Sequence, residues 1–380
     1  MLKLSSLFPI HCTDRAVSHV FYTLCTKFCG TDLQVRMVVP SCDPSCRGTN
    51  LVEAVPQFLK PLYYRSANAP RIMAEKRFLQ DIKNFDAAYL WMATSGETFR
   101  KVKQSNVPIF LERINCHQGK AKRILDQAYQ RLGIEPQHTI TPETISEEDA
   151  ELELADFIFC PSQEVKKSFQ EAGVPESKLI QTSEGWSPKR FPNTSTKKEV
   201  SDSVTVLFLG KISVRKGAHL LLRAWERAGI KGRLLMFGEI EPAIAQTCGD
   251  FFKRPDIVHH AHSNNYAFAY READIFALPS LEEGSPLVAY EAMAHGLPML
   301  VSPMGAGGIV RDSLDGIVLD PYDQDAWVES LRKLAASKDL RARFGNSGRQ
   351  WIQEFTWEKV AQRRKASLLE KLNVQKLCVS

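Results

Sequence analysis

Two stretches in which short apolar runs alternate with helix-like segments, separated by a polar interval, narrow the possible folds of this chain more than any other feature. In the first half the apolar runs fall at residues 34–40, 86–92, 107–112, 156–160 and 178–182. In the second they fall at 204–209, 233–237, 256–260, 274–279, 298–302 and 316–319. Helix candidates lie between them, one running from Gln118 to Leu132 and ended by Gly133, another from the N-cap candidate Ser162 to Gly173. This alternation is expected of parallel sheets covered on both faces. The interval WSPKRFPNTSTKKEVSDS, from Trp186 to Ser203, is almost free of aliphatic residues and reads as a linker. The expected fold is therefore α/β, with two doubly wound domains facing across a cleft at 1–190 and 204–356. A linker is expected at 191–203, and a C-terminal helix and tail at 357–380 that can cross back to the first domain.

Length agrees, since 380 residues exceed one ordinary core. A net charge of +5 is too mild to argue for nucleic acid. No run approaches the ~20 apolar residues of a membrane span, and MLKLSSLFPIHC has too short an apolar core for a signal peptide. Nine cysteines without secretory context point to a reducing, cytoplasmic setting. Cys25, Cys29, Cys42 and Cys46 form two C-x3-C pairs that could bind zinc; the alternative is that Cys25 and Cys29 are small core residues one helical turn apart.

The segment EGSPLVAYEAMAHGLP, residues 283–298, places Glu283 and Glu291 eight positions apart. It follows a short apolar run, so a turn holds Glu283 while a helix, with Ser285 as N-cap and Pro286 as first residue, holds Glu291. The amino end of that helix suits a phosphate, because its backbone N–H groups are unpaired and the macrodipole is positive there. Acids beside an anion site have hydroxyls as their natural partners, as on a sugar and a ribose at opposite ends of a diphosphate. The alternative is a helix-start charge plus a solvated glutamate. Upstream, LFLGKISVRKG puts Lys211 and Lys216 on a loop at a strand's end, where ammonium groups can neutralise a leaving diphosphate. A plain surface loop is the alternative there.

FLGKISVRKG (208–217), ADIFALPSLEEGSPLVAYEAMAHGLPMLVS (273–302), DGIVLDPYD (315–323) and ADFIFCPSQEVKKSFQEAG (155–173) resemble the retaining glycosyltransferases of family four, also called group 1. These have the GT-B architecture of two Rossmann-like domains. The resemblance implies a nucleotide-diphosphate sugar donor, UDP- or GDP-linked, and transfer of a hexosyl group to a saccharide, lipid-linked or small-molecule acceptor. It implies no metal and no cofactor. Lys216 matches the diphosphate-binding lysine, and Lys211 stands where many members have arginine. Glu283 and Glu291 match the two acids of the E-x7-E motif, with Gly284, Ser285, Pro286 and Leu287 offering close backbone approach. Pro286 itself has no N–H to give. Catalytic roles fall to Glu283, Lys216 and His117, the last in LERINCHQGKAKR, where members often set a histidine against the transferred sugar. A Gly-Gly loop common after the first strand is absent from FPIHCTDRAVSHVFYTL, and Asp14, Arg15 and His19 stand there as acceptor-side contacts.

Two weaker features remain. His259, His260 and His262 suggest a metal cluster, but strand alternation sends neighbours to opposite faces, favouring a structural or base-adjacent role. FLKPLYYR, residues 58–65, mixes aromatic with basic groups and could touch a membrane peripherally, packing of a helix or loop being the alternative. The rival functions are a catalytically silent scaffold and an epimerase or phosphorylase on the same fold.

Overall fold

A computed structural model describes residues 1–63, 65–66, 68–190, 203–261 and 266–379. The linker expected at 191–203 thus lies outside the described residues except for Ser203, as do Tyr64 of the aromatic-basic segment and His262 of the histidine group. The first sheet has seven parallel strands: β1 (Leu2–Leu7), β2 (Leu33–Val39), β3 (Leu51–Glu53), β4 (Ala87–Leu90), β5 (Ile109–Glu112), β6 (Phe157–Cys160) and β7 (Leu179–Gln181), in the order β3-β2-β1-β4-β5-β6-β7. The second has six: β8 (Val204–Leu209), β9 (Gly232–Phe237), β10 (Ile257–His260), β11 (Ile275–Leu278), β12 (Met299–Val301) and β13 (Gly316–Val318), ordered β10-β9-β8-β11-β12-β13. Each sheet reverses its strand order once, beside β1 and beside β8. In open α/β sheets the crevice beyond the carboxyl ends at such a reversal is where ligands bind.

Strand β1 is not among the expected runs, because Lys3, Ser5 and Ser6 interrupt its apolar pattern. It is central nonetheless, and both serines are wholly buried. Their hydroxyls are satisfied: Ser6 donates to the carbonyl of Tyr89 (3.2 Å), and Ser5 accepts from Arg36 Nη2 (2.9 Å). A helix at Pro142–Leu154 is also absent from the sequence reading; it starts from a capping box in which Thr141 and Thr144 satisfy each other's backbone N–H groups.

Apolar cores flank the sheets. Trp225, Trp327 and Tyr290 are buried in the second domain, and Tyr129 on the helix Gln118–Arg131 joins that core from the first. The helix Trp357–Val379 packs against the helix Ala16–Phe28, inserting Trp357, Val360, Leu368 and Leu372 into the first domain's core. Among the described residues no helix is long and apolar enough to cross a membrane. Phe58 is 82% exposed, and Lys60 of the same segment pairs with Glu53 at 2.9 Å. Cys25 lies in the core beside Ser6 and Cys29 donates to the carbonyl of Cys25, and no metal-holding cluster occurs among the described residues.

Candidate active site

The second sheet's reversal brings two loops together. The one after β8 runs through Gly210 to Gly217, and the one after β11 leads to the helix Leu287–Ala294. Lys216 lies on the first loop, and its ammonium forms an ion pair with Oε1 of Glu283 on the second. Gly210 makes room for that side chain: a Cβ there would stand 3.0 Å from Lys216 Cε. At Gly217 φ is +69° and a Cβ would fall 2.0 Å from the carbonyl oxygen of Pro279, so only glycine lets the two loops approach this closely.

Arg215 and Glu282, which the sequence reading passed over, complete the cluster. Arg215 Nε meets Glu282 Oε2 at 2.7 Å, and Arg215 Nη2 donates to Asn115 Oδ1 of the first domain at 3.1 Å. The N–H of Cys116 donates to Glu282 Oε1 at 3.3 Å. Their signal was the doubling of charge in VRKG and LEEG, which pairs one cation with each acid. Burial by itself would raise the Glu283 carboxyl, but Lys216 and Arg215 outweigh it and hold Glu283 below the usual carboxylate range. Glu282 goes the other way: burial raises it, with Arg215 only partly opposing. Lys211 is exposed on the same loop.

The helix start differs from the expectation. Ser285 is not the N-cap and Pro286 is not the first helical residue; Pro286 occupies the cap position with extended backbone (φ −68°, ψ 115°) and no side-chain cap bond. The Ser285 hydroxyl is committed elsewhere, donating to the carbonyl of Gly307 at 3.1 Å and meeting Tyr290 Oη at 2.7 Å. Tyr290 Oη in turn accepts from the N–H of Glu184 at 3.0 Å, which ties the loop to the end of the first domain. Leu287 packs against the first domain's core. On the helix itself, Glu291 accepts from Tyr270 Oη at 2.7 Å, and the Tyr270 ring stacks on His295 at 4.8 Å. Burial raises the Glu291 carboxyl, while the Tyr270 hydrogen bond and the charge of Arg190 act against it.

His117 lies in the first domain, at the start of the helix Gln118–Arg131. It caps the helix Gln118–Arg131, its Nδ1 accepting from the N–H of Gly119 at 3.1 Å, while Nε2 faces Asp149 Oδ1 at 2.8 Å. The ring lies edge-on to Phe169 and is only 6% exposed. Both ring nitrogens are thus engaged within the first domain, and His117 caps that helix. Asp14 and Arg15 are largely exposed before the helix Ala16–Phe28, whose first residue has φ +49°. His19 is half-buried, its Nε2 is buried without a partner, and its ring meets Trp357 edge-on at 6.0 Å. Burial, then the charge of Arg190, lowers its pKa to about 4 against a smaller opposing effect of Asp14. Arg190 thus acts on both His19 and Glu291, one from each domain. His259 Nε2 bonds the Gly238 carbonyl at 2.8 Å, whereas His260 stacks on Phe237 at 4.7 Å.

Two α/β domains with parallel sheets, facing each other across a cleft, define the GT-B fold. Residues 191–351 match the family model described as glycosyl transferases group 1. The chain is similar to a D-inositol 3-phosphate glycosyltransferase of Xylanimonas cellulosilytica, 32% identical over 173 residues, which cover 42% of this chain and 40% of that protein. The solved sucrose-phosphate synthase of Thermosynechococcus elongatus superposes with a TM-score of 0.72 at 19% identity, covering 100% of both chains. The Anabaena protein HepE, solved with UDP and glucose, gives 0.66 at 12% identity over 97% of this chain and 100% of that one.

Proposed function

We propose that this protein is a retaining, metal-independent glycosyltransferase that moves a hexosyl group from a UDP- or GDP-linked donor to an acceptor hydroxyl. The observation that carries this reading is the Lys216–Glu283 ion pair at the amino end of the helix bearing Glu291. A donor diphosphate in that crevice meets Lys216, Lys211 and the N–H groups of the first helical turn, which offset the charge gathering on the leaving group. Glu283, held ionised by its two cations, cannot donate a proton at neutral pH. It can accept from sugar hydroxyls and offset positive charge at the anomeric carbon, while Glu291 serves the ribose. The C1–O bond to the diphosphate breaks and the acceptor oxygen bonds C1 on the same face. The acceptor's proton passes to the departing phosphate oxygen. The reading includes a cytoplasmic location, supported by buried free thiols such as Cys12, Cys25, Cys116 and Cys160. Peripheral membrane contact at Phe58 belongs to the same proposal.

The test is turnover. The full chain, incubated with UDP- and GDP-sugars and an acceptor panel, is expected to release nucleoside diphosphate. In Lys216→Ala and Glu283→Gln the rate is expected to fall about a hundredfold or more, the scale seen when a charge-stabilising group is removed. No release from any donor, or unchanged rates in both variants, discards the reading.

A further inference from the structure

The loop from Gly210 to Gly217, which carries Lys211, Arg215 and Lys216, has its backbone held from outside. Ile212 donates to the carbonyl of Glu239 at 2.8 Å, and its own carbonyl accepts from the N–H of Glu241 at 2.9 Å. The carbonyl of Arg215 accepts from the N–H of Leu281 at 2.8 Å. Between Lys211 and Lys216 lies Val214, 0% exposed, and its N–H meets a side chain instead: it donates to Oε2 of Glu241 at 2.7 Å. A buried N–H deprived of its acceptor carries the full cost of its lost hydration. The Glu241 carboxylate therefore fixes where the centre of the loop sits.

An N-cap side chain ordinarily serves its own helix. Glu241 stands at the N-cap of the helix Pro242–Cys248, yet its side chain makes no cap hydrogen bond. Its other oxygen, Oε1, accepts from Tyr129 Oη at 3.0 Å. Tyr129 belongs to the helix Gln118–Arg131 of the first domain, and it lies 2% exposed among residues of the second domain's core. Arg131 of the same helix end stands over the ring of Tyr322 in the second domain, 3.9 Å from its centroid, and so docks that end a second time. Burial, then the charge of Glu241, pushes the Tyr129 hydroxyl above its ordinary range and keeps it a donor. One carboxylate thus joins a buried N–H of the loop to a buried hydroxyl of the other domain.

We propose that Glu241 is a positioning residue for this loop, holding Lys211 and Lys216 where a donor diphosphate is gripped, and that Tyr129 makes the hold depend on the docked first domain. The donor part rests on the glycosyltransferase reading, whereas the hold itself is measured without any nucleotide. Hydrogen–deuterium exchange of the full chain, followed over residues 210–217, is expected to be about tenfold faster or more in Glu241→Ala and about threefold faster or more in Tyr129→Phe. Glu241→Gln keeps an oxygen for Val214 and an amide for the tyrosine, and its exchange is expected to stay close to that of the parent. Calorimetric titration with UDP and GDP is expected to show an affinity loss of about tenfold or more in Glu241→Ala. Tyr129→Phe is expected to lose about threefold or more by itself and nothing further when added to Glu241→Ala, because the hydroxyl acts only through the carboxylate. Circular dichroism checks that each variant is folded. Parent-like exchange in Glu241→Ala, unchanged nucleotide affinity in that variant, a Glu241→Gln variant as impaired as Glu241→Ala, or losses that add in the double variant overturn the proposal. Failure of both nucleoside diphosphates to bind the parent chain overturns the donor reading, and exchange over 210–217 then supports or overturns the hold by itself.

Discussion

A single buried histidine shows how local burial becomes a property of the whole protein. His219 stands near the start of the helix Ala218–Ala228, 2% exposed, with Nδ1 lacking a partner. Burial, helped by the charge of Arg223, lowers its pKa to about 3. A histidine depressed in the folded state contributes stability that is complete above its unfolded pKa of 6.5 and is lost as pH falls toward the folded value. The unfolded chain takes up a proton that the native chain refuses, at a cost of about 2 kcal/mol by pH 5. Urea titrations at pH 7 and pH 5 are expected to show this loss, and His219→Leu is expected to reduce it by about that amount. An unchanged difference between the two pH values in the variant would place the acid sensitivity elsewhere. His19, lowered to about 4, acts in the same direction.

Among the elements, the loop between β11 and the helix Leu287–Ala294 holds the two domains in direct backbone contact. Gly284 lies against the backbone of the first domain, where a Cβ would fall 1.6 Å from the carbonyl oxygen of Ile114. No rotamer change relieves a clash with backbone, so Gly284→Ala must push the domains apart. We expect small-angle scattering to report a larger radius of gyration, with far-ultraviolet circular dichroism unchanged and, under the proposed function, release of nucleoside diphosphate reduced about tenfold or more. A variant as compact and active as the parent would show that the approach is not needed. This closeness was invisible in the sequence, which shows a glycine between Glu283 and Ser285 but not the strand end from the other domain that faces it. The misplaced N-cap has the same origin, because the acceptor that draws the Ser285 hydroxyl away is the carbonyl of Gly307, 22 positions on.

For the whole molecule, the helix Trp357–Val379 acts as a tie from the second domain back to the first. Lys27 pairs with Glu358 at 2.5 Å, and Lys365 pairs with Asp32. At its centre Arg364 is 1% exposed, bonding Glu112 Oε1 at 2.7 Å and the Ser183 carbonyl at 2.7 Å, with Glu184 at 3.5 Å. Glu112 also accepts from Tyr89. Burial pushes Glu184 up to about 7 despite Arg364, and its Oε2 has no partner. Replacing Arg364 by methionine leaves two buried carboxyls uncompensated, an effect of about 3–5 kcal/mol. Equilibrium denaturation of Arg364→Met is expected to show a loss of that order. A change under ~1 kcal/mol would mean that both acids are protonated in the native protein and that the network is neutral.

The alternation of apolar runs with helices, the break between two such arrays, and the motifs around Lys216 and Glu283 are local patterns that neighbouring residues settle among themselves. They could therefore be read from the chain alone. The partnerships were decided by tertiary structure: β1 is a strand because Tyr89 and Arg36 satisfy its serines, and His117 is a cap because Asp149 takes its second nitrogen. Arg215 is bound to Asn115, 100 positions away. Hydrogen bonds and charges are satisfied by whatever the fold brings near, and sequence spacing carries no record of that across such distances.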